Sequence, residues 1–196
     1  SSAKTLTVDA GSGVVTMNGA VGGTYVLGTT SITAGFVVTG ASGTIAMGAN
    51  ALSITTDAIS LGANVSGTST LTIAPRTAST TIGLAGAAGD LSLDTTELNF
   101  IQDGFSIITL GSASATGKIT VGAYTFSDTV KLLNYGASSS GIELTGAVSV
   151  GANNLTLYTT GTVTQSAAIT AAGLELLGTG GTYTLTNTGN AITGIG

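Results

Sequence analysis

Apolar and polar residues alternate along this chain in short runs, and each run ends in a cluster of Gly, Ala, Ser or Asn. TLTVDAGSG is followed by VVTMNGAVGG, TYVLGTT, SITAG, FVVTGASG and TIAMGAN, and then by ALSITTDA, ISLGANVSGTS, TLTIAP, TIGLAGAAG and DLSLD. Alternation puts every second side chain on one side of an extended backbone. Each run therefore predicts a short strand with one buried face, and each cluster predicts a turn. Pro75 directly follows TLTIA, where its missing N–H costs no ladder bond. The same grammar returns in VKLLNYG, IELTG, VSVGANN, LTLYTTG, TVTQSAA, LELLGTGG and TYTLTNTG.

The stretch Asp90–Tyr135 breaks the monotony. It gathers Asp90, Asp94, Glu97, Asp103, Lys118, Asp128 and Lys131, more than half of the chain's charges, together with Phe100, Phe105, Tyr124, Phe126 and Tyr135. Within it, DTTELNFIQDG has the marks of a helix. Asp94 can cap it, Glu97 follows three residues on as in a capping box, and Leu98 and Ile101 share a face. Gly104 can end it in a left-handed conformation. The pattern predicts one helix over 95–102, in an excursion spanning 94–104, with Phe100 or Phe105 covering its base. SIITLG, KITVG and YTFSD then read as strands.

Two passages are near copies: GANALSIT from Gly48 and GANNLTLY from Gly151. The match continues with Val65–Ser66 against Ile169–Thr170 and Leu71–Ile73 against Leu174–Leu176. Such self-similarity marks a stacked array. A sandwich would need longer strands and more large aromatics. A transmembrane barrel would need segments of about 9–11 residues with aromatic girdles, and Trp is absent. The pattern therefore predicts an all-β parallel β-helix, with like residues stacked about 4.8 Å apart and Leu155, Leu157, Leu174 and Leu176 pointing inward. At roughly 20–28 residues per coil, about seven to nine coils make a rod of about 35–45 Å. Residues 1–196 are expected to form one β-solenoid segment.

Composition narrows the function classes. Charged residues make up 7% of the chain, against about 25% in ordinary soluble domains. The mean hydropathy of +0.53 would suit a membrane protein. Yet Thr, Ser or Gly interrupts every apolar run well short of the roughly 18–20 residues of a spanning helix. Four basic residues and a net charge of −5 leave no basis for a nucleic-acid groove. With neither Cys nor His there is no disulfide framework, and most zinc and copper sites are excluded. No cofactor, metal site or catalytic residue is expected.

From Gly48 to Gly196 the chain resembles the repeats of very large bacterial surface exoproteins of the filamentous-haemagglutinin type. ISLGANVSGTSTLTIAP, TIGLAGAAGDLSLDTTELNFIQDGFSIITLG and GKITVGAYTFSDTVKLL carry the resemblance. It implies a right-handed β-helix, exported and displayed on the cell surface in a long fibre for adhesion or matrix formation. The amino-terminal secretion domain of such families is not recognisable. Neither SSAKTLTV nor GNAITGIG reads as a cap, so the chain is expected to be an internal piece that continues past both ends, through covalent repeats or end-to-end copies of itself.

Several motifs admit a second chemistry. GSASATGKI, Gly111 to Ile119, has the look of a phosphate loop, but its spacing differs and a strand follows Lys118 instead of a helix. GAAGD, ending at Asp90, is half of a calcium-binding repeat without the tandem copy that would complete it. Asp94, Glu97 and Asp103, with Lys118 or Lys131 approaching, could line an open face of a carbohydrate-binding or carbohydrate-cleaving β-helix over 90–135, the alternative to a structural shaft. Thr182, Thr184, Thr186 and Thr188, with TLT at Thr5 and Thr70, hint at an ice-binding array, although the copies are irregularly spaced. Asn64 and Asn154 stand in glycosylation sequons and read as turn residues. Tyr25, Phe36, Tyr158 and Tyr183 read as aromatics stacked in or on the coils. The partners expected are neighbouring repeats or further copies, with host-cell or matrix glycans as external ligands.

Overall fold

Most of the alternating runs become strands, and these pair in parallel with the runs of the coils before and after them. The computed structural model of the chain describes residues 3–196. It is a parallel β-solenoid of about nine turns with a single short helix. One face runs without interruption. It takes Lys4–Asp9, the first parts of Leu27–Thr39 and Leu52–Leu61, Thr70–Ala74, Ile107–Ser112, Val130–Asn134, Asn154–Thr159, the second part of Ile169–Leu177, and the end of Ala191–Ile195. Two shorter faces complete each coil. The second includes Val14–Met17, Ile82–Leu84, Ile119–Val121, Ile142–Leu144, Thr162–Gln165 and Thr182–Thr184. The third includes Val21–Gly22, Ile45–Ala46, Val65–Ser66, Tyr124–Thr125 and Val148–Ser149. Of SSAKTLTV, Ser1 and Ser2 lie outside the described residues, and Lys4–Asp9 is strand.

Parallel register stacks like on like. Leu52, Leu71, Ile108, Val130, Leu155 and Leu174 form one inward column of the first face, and Ile54, Ile73, Leu110, Leu132, Leu157 and Leu176 the next. All but Leu176 are buried, and Leu176 packs partly buried against the same core. At about 25 cal/mol per Å² of apolar surface removed from water, these columns are the main source of stability. Side-chain bonds between neighbouring coils join residues 17 to 26 positions apart, and 36 or 38 apart across the inserted coil.

The two near-copies sit at equivalent corners, where the third face turns into the first. Gly48 and Gly151 share a φ of 56°. Asn50 and Asn153, two residues later, each donate a side-chain N–H to a carbonyl of the coil before, Leu27 O at 2.8 Å and Ser127 O at 2.7 Å. The repeated GAN is thus a corner that satisfies the backbone of its neighbour.

Leu27–Thr39 and Leu52–Leu61 each continue around a corner of the coil, although their sequences read as two runs apiece. At the bend two successive residues face outward, Gly35 and Phe36 in one strand and Asp57 and Ala58 in the other, and alternation then resumes. A phase slip in the pattern is here a bend within a strand. Gly35 is required at its bend, because a Cβ would run into the Ser12 carbonyl.

The coil that starts at Thr70 carries the insertion. After Ile82–Leu84 the chain loops back through 85–90 and lays Leu91–Leu93 parallel to the strand it has just left. Parallel neighbours normally need a crossover of a dozen or more residues. Strands of three residues leave so short a return that 85–90 can span it, with Ala85 and Gly86 both at positive φ. The helix follows over Thr95–Phe100, with the expected capping box: Glu97 N–H donates to Asp94 and Asp94 N–H to Glu97.

It ends earlier than the predicted 95–102. Ile101 turns extended and bridges Val65 in parallel, and Gln102 N–H donates to Val65 O, so pairing with the previous coil outcompetes another helical turn. Gly104 does take a positive φ, 128°, but it comes three residues after the C-cap Ile101 and so does not make the stop. Leu98 and Phe105 are buried, and Phe100 packs partly buried on the core. Among the described residues no helix is long and apolar enough to cross a membrane.

Candidate functional site

The charged block is dispersed by the fold into separate groups, most of them held by hydrogen bonds to backbone amides and hydroxyls. Asp90 closes the 85–90 loop: its carboxylate accepts from the Thr81 hydroxyl at 2.8 Å and the Thr81 amide at 3.3 Å. Those bonds hold its pKa below the usual carboxylate value. Asp94 and Glu97 are occupied by the cap. Glu97 also reaches across to the previous coil, where its second oxygen accepts from Leu61 N–H at 3.1 Å. Lys118 pairs with Glu143 on the second face at 3.0 Å. Lys131 lies on the first face, its ammonium 5.0 Å from the centre of the Tyr158 ring. Neither lysine is paired with Asp94, Glu97 or Asp103, so the carboxylate–lysine grouping expected of a catalytic face is not assembled.

One carboxyl is buried. Asp128, only 6% exposed, stands at the corner before Val130–Asn134 and accepts from the Gly104 amide at 3.0 Å. Asp103 stands on the exposed return leg as a nearby like charge. Burial raises the pKa of Asp128, and Asp103 adds to the rise, against the lowering effect of the Gly104 and Phe105 amides. Behind Asp128 is a cavity of about 20 Å³ lined by Leu98, Ile101, Ile108, Leu110, Tyr124 and Phe126. Space of that size holds about one water and no sugar ring. Tyr124 closes its rim, donating its hydroxyl to Asn99 Oδ1 at 3.0 Å.

Sequence reasoning passed over a third group. Asp57 sits on the outer side of the bend in Leu52–Leu61 and accepts from Thr77 N–H at 2.6 Å, Thr77 Oγ1 at 2.7 Å and Thr80 Oγ1 at 2.8 Å, with Arg76 at 3.5 Å. Burial works against its charge. The Thr77 and Thr80 bonds and the Arg76 charge outweigh that and hold its pKa below the ordinary value. These partners lie a coil away in sequence, so only the coil period could have pointed to them. Among the described residues no three or more acidic side chains converge as metal ligands would.

The remaining motifs are placed as follows. GSASATGKI is the turn from the first face to the second, leading into the strand Ile119–Val121. Asn64 occupies an exposed turn, whereas Asn154 opens the strand Asn154–Thr159. Tyr135 and Tyr158 pack at 4.5 Å between ring centres. The threonines come closer to an array than their spacing suggests. Thr7, Ser31, Ser53, Thr72 and Thr109 stack in one outward column of the first face. The second member of each pair, however, lies on one side in Thr5 and Thr70 and on the other in Thr33 and Thr55, and Lys131 takes the next place in the column. The paired lattice an ice-binding face requires is therefore not built.

The site is thus a set of corner devices on a solenoid. Comparison with protein-family models, curated proteins and solved structures finds no match to this chain.

Proposed function

We propose that the chain is a shaft segment of an exported bacterial surface fibre of the filamentous-haemagglutinin type, serving adhesion or matrix formation as a spacer and not as an enzyme. The observation that carries this reading is the unbroken first face, which stacks coil on coil from Lys4 to Ile195. Its outward side is filled mainly by Thr and Ser, and the nearby carboxylates are consumed at corners. A coil rises about 4.8 Å, so two copies joined in tandem should be about 40 Å longer than one by small-angle X-ray scattering. In the source bacterium, antibodies to the chain should label intact cells. A tandem of unchanged length, or protein confined to the cytosol, overturns the reading.

A second reading, glycan binding at the end of the 90–135 face, is supported by the Tyr135–Tyr158 pair with Lys131 beside it. Aromatic rings with a flanking polar group can stack on a sugar and bond its hydroxyls. Binding to immobilised glycans that Tyr158→Ala abolishes would support it, and a wild-type chain that binds none would remove it.

A further inference from the structure

The outward side of the first face changes character along the rod. In earlier coils the outward place next to the inward Ile32 and Ile54 holds Thr33 and Thr55. In three successive later coils the same place holds Leu133, Tyr158 and Leu177, stacked in register and each half-buried. Tyr135 packs on Tyr158 at 4.5 Å between ring centres and widens the column. A single outward Leu is ordinary, but a contiguous apolar column on an outer face is a surface that association can cover.

Two residues back along each strand, the neighbouring outward column holds Lys131, Thr156 and Glu175. Among the described residues Arg76 is paired with Asp57 and Lys118 with Glu143. Lys131, by contrast, has the Tyr158 ring and no carboxylate, and Glu175 has the Thr156 hydroxyl at 3.0 Å and no cation. The two charges stand one coil to either side of Thr156, about 10 Å apart by coil rise, and do not pair within the chain.

That placement is self-complementary. A second copy laid face to face on this one, under a two-fold axis parallel to Asn154–Thr159, has its coil order reversed and each position along the strand unchanged. Tyr158 then meets its own counterpart, Leu133 meets the partner's Leu177, and Lys131 meets the partner's Glu175, the last two contacts made twice. An axis along the rod keeps each coil at its own height and brings neither charge to the other.

We propose that this face is an interaction surface for a second copy of the chain, an antiparallel two-fold dimer with Tyr158 at its centre and a Lys131–Glu175 pair on either side. A glycan stacked on the same rings, the second reading above, leaves unexplained why opposite charges flank Thr156 symmetrically. The surface spans few coils, so dimerisation is weak and concentration-dependent. Removal of the Leu and Tyr surface from water drives it, and the charges set its orientation.

Sedimentation of the whole chain over a wide concentration range tests this, with the unfolding midpoint of each variant as a check on its fold. The wild type should pass from monomer to dimer. Lys131→Glu sets carboxylate on carboxylate and Glu175→Lys sets ammonium on ammonium, so each variant alone should dimerise at least about tenfold more weakly. An equimolar mixture of the two should recover the dimer, because each copy then meets opposite charge in both pairs. The doubly reversed chain should recover it as well, and Tyr158→Ser should weaken it in either charge arrangement. A wild type that stays monomeric to millimolar concentration, with or without bound glycan, overturns the proposal. So does association that both reversals leave unchanged, as end-to-end stacking would, or a loss that mixing the two variants does not repair.

Discussion

Leu155 stacks between Val130 and Leu174, and Leu157 between Leu132 and Leu176, with almost no exposure. Neighbouring coils hold the backbone above and below, so the site cannot collapse onto a smaller side chain. Leu157→Ala should cost about 2–5 kcal/mol, read as a lower urea midpoint at unchanged slope. At Gly111 the cause is different. It combines a φ of 106° with a Cβ position that runs into the Leu133 carbonyl, so Gly111→Ala should be strongly destabilising, whereas Gly48→Ala meets only Val26 and bears mainly the cost of its φ. Asp57, and more weakly the exposed Asp90, contribute to stability in acid. Both have lowered pKa values, so their contribution is complete above the ordinary 3.8 and is lost as the pH falls through the folded value. Asp57→Asn should flatten that acid limb below about pH 4 in urea titrations. The leucine columns were legible because alternation alone decides which side chains point inward. The partners of Asp57 and Asp128 were not, because each is brought near by closure of a coil.

The helix shows the same division at the scale of an element. Its start was legible from DTTE, since a capping box is complete within four residues. Its stop was not, since Ile101 is drawn off by Val65 of the coil before. The 85–90 return was unreadable for a related reason: a parallel partner so close in sequence depends on strands too short to suggest it. Asp94→Ala should cost about 1 kcal/mol or less, a cap's worth. Glu97→Ala should do more, because it also frees Leu61 N–H. Amide exchange should then accelerate at Leu61 as well as at Asp94, and unchanged exchange at Leu61 would show that the link between helix and coil contributes nothing.

For the whole molecule, the short alternating runs and the near copies at Gly48 and Gly151 were enough to indicate a parallel solenoid, and a coil of roughly 20–28 residues gave about seven to nine coils where the structure has about nine. The insertion does not disturb that period elsewhere, because each coil closes on itself before the next begins. It does interrupt the wall of the rod. The first face pairs continuously across the inserted coil, but on the second face Ala58–Leu61 has no ladder to Leu91–Leu93, and the third face keeps only the Val65–Ile101 bridge. Mechanically the solenoid is a beam with a notch cut in one flank. Flexing that opens the notch strains the Glu97–Leu61 link, the Val65–Ile101 bridge and a few backbone bonds of the return leg, whereas flexing the opposite way must tear a continuous sheet. The rod is therefore stiff in one direction and compliant in the other, and a filament that contained it would bend preferentially toward its first face at this coil.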